Sequence, residues 1–471
     1  MTSFKKSSAF ITQKRKTHIK LQIVKNDELK TWLKKQDASV RKAAAENGFD
    51  KEEAILLPLH KANGNIKSIV VRMGKKPGFY DMARVVSRLQ THFSSAFLKN
   101  ASFEITGLSK QYLTDACVSW GLAAYSFDTY KKKKQSTNAA LLLPDSVNKT
   151  QVKSAVESIF LLRDMVNTPA NDMGPEEIEA AVKALAKSHD AKVKVVKDQK
   201  ILEKDFPLVF TVGKASPRKP RLIDMSWGNP KHPKVTLVGK GVAFDTGGLD
   251  LKPSAYMKLM KKDMGGAAHT IALANLIMDH KLKVRLRLII PAVENSVAGE
   301  AFRPGDIMKS RKGVFVENTN TDAEGRLILA DALTYASEGK PDLIIDYATL
   351  TGSARAGLGP DIPAMFANND KVGAAIQKSG EKSEDPVWQM PLWQPYRKHI
   401  ENSTGDLLNS AGIPGDGIYS ALFLETFVDK KIDWVHLDCF SWEQTGRPGR
   451  PKGAADTGLR AVFAYLQDRY G

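Results

Sequence analysis

The chain has 471 residues, of which 42% are hydrophobic and 26% charged, and its formal net charge is +18 at pH 7. This length predicts two domains with a sizeable core, and the composition is that of an ordinary globular protein. No apolar run is long enough to span a bilayer, so a membrane-spanning protein is excluded.

The positive charge has two interpretations. Lysines cluster at Lys5–Lys6, Lys14–Lys16 and Lys131–Lys134, and such a field attracts nucleic acid or acidic substrates. A lysine-rich solvated surface is the favoured interpretation, because net charge alone describes solubility and not a site. Aromatic residues are not interleaved with these clusters, as a platform for single-stranded nucleic acid requires.

The cysteines and the first residues bear on the cellular compartment. Cys117 and Cys439 are the only cysteines, lie far apart and are flanked by apolar residues, which favours a reducing, cytoplasmic location and excludes a Cys-based zinc site. The segment before Asp27 is rich in Lys, Ser and Thr, which is compatible with a transit peptide. However, "IKLQIV" within it already has the pattern of a strand.

The first 145 residues are expected to form a smaller α/β domain. Strands are predicted at "IKLQIV", "EAILLPL", "IKSIVVRM" and "AALLLP", and a helix is predicted at "YLTDACVSWGLAAYSF". The polar segment "TYKKKKQSTN" indicates a surface loop. A helix over about 151–167 is then expected to link this domain to a larger one over 146–471.

The larger domain alternates apolar strands with helices. The strand candidates are "KVTLVGKG", "VRLRLIIPAV", "PDLIIDYATL" and "WVHLDCF"; the helix candidates are "GGAAHTIALANLIMDHK" and "GRLILADALTYASEG". Near-continuous apolar strands separated by helices predict a mostly parallel central sheet with helices on both faces.

Acidic residues recur in glycine-rich turns between these elements. The turns "DTGG", "DMGG" and "DAEG" carry Asp245, Asp263, Asp322 and Glu324, and the last two turns directly precede helices. Four carboxylates brought together would repel one another unless cations neutralise them, and carboxylate oxygens suit Mg²⁺, Mn²⁺ or Zn²⁺. Helix capping is the better explanation for any one of these acids taken alone. It is a less convincing explanation for all four together, and the set indicates a metal-dependent hydrolase.

At these residues the chain resembles the leucyl aminopeptidase (cytosol aminopeptidase) family. The matching segments are "VGKGVAFDTGGLDLKP", "MKKDMGGAA", "NTDAEGRLILADAL" and, upstream, "RDMVNTPANDMGP". The resemblance covers roughly residues 150–471, and the first domain is similar to the N-terminal domain of some bacterial members.

The resemblance implies two divalent metal ions per subunit, zinc or manganese with magnesium as an alternative, and a bicarbonate ion. The implied metal ligands are Lys240, Asp245, Asp263, Asp322 and Glu324. Asp245 and Glu324 would bridge the two metals, Asp322 would serve one of them, and Lys240 and Asp263 the other. A lysine ligates only when neutral, so the metals would have to depress the Lys240 pKa.

The catalytic pair implied by the family is Lys252 and Arg326, with Arg326 cradling the bicarbonate. The substrates would be peptides with a free N-terminus. The residues expected to contact the substrate are Met260, Thr349, Leu350 and Gly352. Met260 would form a flexible apolar wall suited to leucine or methionine, although core packing is an equal alternative for it. Family members are usually homohexamers of two stacked trimers, and we expect the same here, with no membrane association.

Other positions depart from the family or remain open. The segment "SWEQTGRPGRPKGAADTGLRAVFAYL" differs from the usual ending, which leaves the far wall of the pocket undefined. Phe440 and Trp442 are assigned to the core rather than the pocket, and His269 and His436 to packing. The alternative functions are nucleic-acid binding, instead of or beside catalysis, and a catalytically inactive relative. Complete retention of the expected residue types argues against inactivity.

Overall fold

The structure is a computed structural model that describes residues 7–132 and 139–471. Lys5, Lys6, Lys133 and Lys134, part of the basic clusters, and residues 133–138 of the expected surface loop lie outside this range. The chain forms two compact units, one mainly from Phe4–Phe160 with Thr445–Lys452 and the other mainly from Leu161–Gln444 with Gly453–Gly471. No helix among the described residues has both the length and the apolar character needed to cross a membrane.

The first unit is built on a mixed sheet. Its strands, within the described residues, are β1 (Phe10–Ile11), β2 (Thr17–Lys25), β3 (Leu56–His60), β4 (Ile66–Met73), β5 (Ala101–Thr106) and β6 (Ala140–Leu142). Its helices are α1 (Leu29–Lys34), α2 (Ala38–Glu46), α3 (Asp81–His92), α4 (Ser95–Asn100) and α5 (Lys110–Leu122). The strand order is β1-β6-β5-β2-β4-β3, and only β3 runs antiparallel to its neighbour. The predicted "IKLQIV" strand is its centre, with Ile19, Leu21 and Ile23 buried in alternation.

The second unit contains the larger sheet. Its strands, again counting the described residues, are β7 (Lys192–Val196), β8 (Arg221–Trp227), β9 (Lys234–Gly239), β10 (Gly241–Asp245), β11 (Arg285–Asn295), β12 (Ile307–Lys309), β13 (Phe315–Glu317), β14 (Leu343–Ala348), β15 (Ala364–Ala367), β16 (Trp388–Gln389), β17 (Leu407–Leu408), β18 (Asp433–Asp438), β19 (Trp442–Glu443) and β20 (Gly453–Ala454). The main sheet has the order β16-β15-β18-β14-β9-β11-β8-β7, with β10 paired to β11.

The helices from residue 149 onward are α6 (Lys149–Asn167), α7 (Pro175–Ser188), α8 (Gln199–Asp205), α9 (Pro207–Gly213), α10 (Ser254–Met257), α11 (Gly265–Asp279), α12 (Glu324–Glu338), α13 (Gly352–Leu358), α14 (Asp370–Lys382), α15 (Asp416–Glu425) and α16 (Leu459–Tyr470). Two 3₁₀ segments span Met260–Met264 and Gln394–His399. The division between the two units, at residue 160, falls inside α6, which occupies the segment expected to link the domains.

The four apolar segments predicted as strands form the parallel centre of the main sheet. They are β9, β11, β14 and β18, and all pair in parallel. The flanks are antiparallel: β8 pairs in this way with β11, and β15 with β18. The fold class is therefore the predicted α/β class, with a mostly parallel centre inside a mixed sheet.

Helices cover both faces of this sheet because successive side chains of each strand point to opposite sides. Ile344 of β14 belongs to one core, which it shares with residues of α9, α12 and α15. Tyr347, three residues further along the same strand, points to the other face, where its ring stacks on His269 of α11. Burying both faces explains why the central strands are almost uniformly apolar.

The close approach of α11 to the sheet depends on glycine. A Cβ at Gly266 would lie 2.2 Å from the backbone oxygen of Tyr347 and 3.0 Å from Cα of Ala348. Neither atom belongs to a flexible side chain, so only a shift of helix or strand would make room.

We predict that Gly266→Ala lowers the free energy of unfolding by about 1–3 kcal/mol, the usual cost of overpacking. The measurement is urea denaturation followed by tryptophan fluorescence. Gly299→Ala is the matched control, because nothing lies within 4 Å of a Cβ at that position. Equal midpoints for the two variants would contradict the packing described here.

Candidate active site

The acidic turns predicted from the sequence meet at the carboxyl ends of the parallel strands. Lys240 directly follows β9, Asp245 ends β10, and Thr349 directly follows β14. Because parallel strands end at the same edge of a sheet, turns distant in sequence converge there. They surround a cavity of about 590 Å³ whose walls include Lys240, Asp245, Lys252, Met260, Asp263, Asp322, Arg326, Thr349, Leu350 and Gly352.

Three of the carboxylates form a compact cluster. One oxygen each from Asp245, Asp322 and Glu324 lie within 4.8 Å of one another, and Glu324 is 1% exposed. Glu324 begins α12, yet no side chain caps the amino terminus of that helix. Helix capping therefore does not explain why these acids precede α12.

Two lysines neutralise the acidic cluster. The Lys240 Nζ atom lies 2.7 Å from Asp263 Oδ2 and 2.9 Å from Glu324 Oε1, and donates to the backbone oxygen of Thr349 at 3.1 Å. Lys240 is 3% exposed, so this group of charges is shielded from water.

The second lysine bridges the other two acids. The Lys252 Nζ atom lies 2.9 Å from Asp245 Oδ2 and also forms an ion pair with Asp322 Oδ1. The four acids are thus divided between two lysines, which accounts for their close packing in a protein interior.

The pKa values reflect this crowding. Burial, and then the charge of Asp245, raises the Asp322 pKa to about 6 and raises the Glu324 pKa well above its usual value. Burial opposes the charged form of Lys240, but Asp263, Glu324 and Asp245 together raise its pKa. In the protein alone Lys240 is therefore protonated, and the depression expected for a metal-ligating lysine has to come from a bound cation.

The acidic cluster has the donor atoms that a divalent cation needs. Both carboxylate oxygens of Glu324 are buried: Oε1 pairs with the Lys240 ammonium at 2.9 Å, whereas no group among the described residues donates a hydrogen bond to Oε2. Buried polar atoms without partners are uncommon, and carboxylate oxygens are the ligands that hard divalent cations prefer. The residues present therefore fit bound metal ions.

Arg326 lies beside the cluster in the first turn of α12. Its Nη1 donates to the backbone oxygen of Asn409 at 2.6 Å, and its Nη2 to Asp416 Oδ1 at 3.0 Å. Its Nε is buried and donates no hydrogen bond to any described residue. This free donor is suited to an anion in the cavity.

The residues expected to contact the substrate lie along the cavity. Met260 is half-buried, Thr349 donates to Asp263 Oδ1 at 2.8 Å, and Gly352 begins α13 at the surface. Phe440 was assigned to the core, but it is half-buried and lines the cavity. His269 and His436 pack as expected, bonded to Gly265 O and Asp346 Oδ1, respectively.

Sequence reasoning missed residues that hold these turns in place. Asn295, at the end of β11, donates to Asp245 Oδ1 at 2.9 Å and to the Thr321 backbone oxygen at 3.0 Å, and thereby joins two of the acidic turns. Asp438, at the end of β18, accepts from the backbone N–H groups of Leu350 and Thr351. Asn295 and Asp438 could have been found from the sequence because each stands at the carboxyl end of a predicted strand.

An α/β domain with a buried carboxylate cluster at the carboxyl edge of its sheet, fitted for divalent cations, defines a metal-dependent hydrolase. The chain belongs to the cytosol aminopeptidase family. The catalytic-domain model of that family matches residues 160–463, and the model of the M17 aminopeptidase N-terminal domain matches residues 19–144. The protein is accordingly a metal-dependent aminopeptidase by family.

Individual relatives agree with this membership. A probable cytosol aminopeptidase of Syntrophotalea carbinolica is 38% identical over 363 residues, which cover 74% of this chain and 73% of that protein. The crystal structure of a cytosol aminopeptidase from Coxiella burnetii is 42% identical, covers 98% of this chain and 100% of its own, and superposes with a TM-score of 0.91. The bottromycin maturation enzyme BotP, solved in complex with Mn, is 26% identical with a TM-score of 0.84, covering 96% of this chain and 99% of its own.

We predict that Asn295→Leu, which keeps the branched shape of the side chain but removes both donated hydrogen bonds, lowers the affinity for Mn²⁺ by about 10–100-fold. Calorimetric titration of metal-free protein measures this. Asn275→Leu is the matched control, a buried asparagine in α11 that donates to Asp279 instead. Unchanged affinity in Asn295→Leu would show that Asn295 does not position Asp245.

Proposed function

We propose that the protein removes single residues from peptides with a free α-amino group, using two divalent ions held by Lys240, Asp245, Asp263, Asp322 and Glu324. The observation that carries the proposal is the buried acidic cluster, in which Glu324 Oε2 accepts no hydrogen bond from any described residue. The manganese complex of the similar BotP enzyme supports Mn²⁺ as one of the ions.

Bound divalent ions would supply Lewis-acid activation of a water molecule and of the peptide carbonyl group. Asp245 and Glu324 would be shared by the two ions, because both belong to the cluster and the charges of both act on Lys240 and on Lys252. Asp322 would serve the ion on the Lys252 side, and Asp263 with Lys240 the ion on the other side. Lys240 would act as a ligand only after losing its proton.

Lys252 would remain charged and face the developing oxyanion. It is half-buried at the cavity wall, and Asp245 and Asp322 hold its ammonium in place. Burial opposes its charged form, but the surrounding carboxylates, with Asp245 first, raise its pKa. A fixed cation in a site shielded from water stabilises negative charge that develops on the carbonyl oxygen.

Arg326 would hold a bicarbonate ion, which would supply a general base near the acidic cluster. Two of its nitrogens are held by Asn409 and Asp416, and its Nε is buried without an acceptor. The guanidinium is therefore fixed in orientation, with its Nε–H left to donate to an anion.

The amino end of the substrate is assigned to the neighbourhood of Asp263. Thr349 donates to this carboxylate, and the backbone carbonyl of the adjacent Leu350, which lines the same cavity, would accept from the substrate amide. An amine anchor at this end would restrict cleavage to the first peptide bond, which is what makes an aminopeptidase.

We predict that a chelator abolishes hydrolysis of leucyl amides and that added Mn²⁺ or Zn²⁺ restores it. Glu324→Gln, which keeps the size of the side chain and removes its charge, should lower activity by at least about 100-fold even with excess metal. Loss of a metal ligand should reduce activity at least as much as loss of a residue that only positions a ligand. Steady-state rates after metal reconstitution measure this. Full activity after exhaustive chelation would contradict the proposal.

We predict that N-acetylation of a good peptide substrate reduces kcat/KM by at least about 100-fold, since the acetyl group removes the amine that positions the first carbonyl group. Mass spectrometry of matched free and acetylated peptides provides the measurement. Efficient release of acetyl-amino acids would rule out the amine anchor while leaving a metal-dependent hydrolase intact.

A further inference from the structure

We propose that this aminopeptidase selects an acidic first residue, whose side-chain carboxylate is received by Arg355 and Lys262 at the Phe440 end of the cavity. The inference rests on the proposed function, because it assumes that the substrate amine lies near Asp263.

Two cations meet at one aromatic ring in this part of the cavity. The Lys262 ammonium lies 5.0 Å from the centroid of the Phe440 ring, and the Arg355 guanidinium carbon lies 4.7 Å from the same centroid. All three residues line the cavity that contains the acidic cluster. They come from the 3₁₀ segment before α11, from α13, and from the turn after β18.

These two cations differ from the others in the cavity in having no acidic partner. Lys240, Lys252 and Arg326 each form an ion pair with at least one carboxylate. Within residues 7–132 and 139–471, neither Lys262 nor Arg355 forms an ion pair or a side-chain hydrogen bond. These two side chains therefore keep their polar groups out of ion-pair contact with the acids of the cluster.

Burial makes the unpaired state of Lys262 unusual. Lys262 is only 6% exposed, whereas lysines are almost never buried without a partner. The preceding Lys261 shows the ordinary outcome, because its ammonium donates to the backbone oxygen of Asn167 at 2.6 Å. A carboxylate brought in by the substrate would give Lys262 the partner that the protein does not provide.

The position of Lys262 matches the side chain of the first residue rather than a later one. Lys262 immediately precedes Asp263, and the amine of the substrate is assigned to that carboxylate. The first side chain branches one atom from this amine, so it enters the cavity beside Asp263. Met260, on the same wall, provides apolar contact for the methylene groups of a glutamate side chain.

The decisive comparison is between glutamate and its uncharged isostere, glutamine. We expect the metal-loaded enzyme to hydrolyse a glutamyl amide with kcat/KM at least about ten-fold above the glutaminyl amide, since a hydrogen bond to a charged partner contributes more than a neutral one. Arg355→Gln and Lys262→Met should each move this ratio toward one. Lys378→Gln, which removes an exposed cation on α14, should leave the ratio unchanged.

The ratio of kcat/KM for the glutamyl amide to that for the glutaminyl amide is measured within each variant. A variant that is merely less stable would lower both values equally and leave this ratio unchanged. A ratio near one in the parent protein, or a ratio that neither substitution changes, overturns the inference. The inference is also overturned if the enzyme prefers leucyl-glutamate to leucyl-glutamine peptides but shows no preference for glutamate as the first residue. That result would place the two cations beside the second residue, beyond the cleaved bond. Cleavage of leucyl and glutaminyl amides without glutamyl preference refutes this inference alone, whereas cleavage of no aminoacyl amide refutes the proposed function as well.

Discussion

The pairing of the buried Lys240 and the half-buried Lys252 with four acids is the interaction on which the site depends. Without Lys240 and Lys252, the acids of three turns would be forced together in a volume that excludes water, and their repulsion would oppose folding. The two lysines offset this repulsion. Burial first, and then the charge of Asp245, still raise the pKa values of Asp322 and Glu324, and a bound divalent cation would favour the charged form of both.

The fold provides the geometry for this cluster. Four parallel strands end at one edge, and glycine allows α11 to start against the backbone of β14, so that Asp263 faces Lys240. Asn295 then connects the Asp245 turn to the Thr321 turn, and Asp438 fixes the backbone of Leu350 and Thr351. The buried strands and helices thus fix the positions of the acids. The cavity-lining side chains of Met260, Phe440 and Arg355 would determine which substrate binds.

The central strands and the acidic turns of the second unit could be predicted from the sequence, whereas its edge strand and part of the cavity wall could not. The central strands were predictable because burial on both faces makes them continuously apolar, and the acidic turns because glycine and acid recur together. The edge strand β7, "KVKVV", alternates lysine with valine in a half-buried pattern and was not recognised. Lys262 was missed because the default for a single lysine is the surface, and Phe440 was misassigned because only the folded chain brings it beside Arg355. The metal and catalytic roles of the site residues stay predictions, although the structure brings those residues together.

Anomalous diffraction from crystals grown with Mn²⁺ would show whether these residues hold two ions, because it locates the metal without relying on activity. We expect two manganese peaks about 3.5–4 Å apart, both within coordination distance of Asp245 and Glu324, with the Lys240 nitrogen bonded to one of them. Manganese found only elsewhere on the protein, or a Lys240 that keeps its ion pairs with Asp263 and Glu324 while the metal sites are filled, would contradict this expectation.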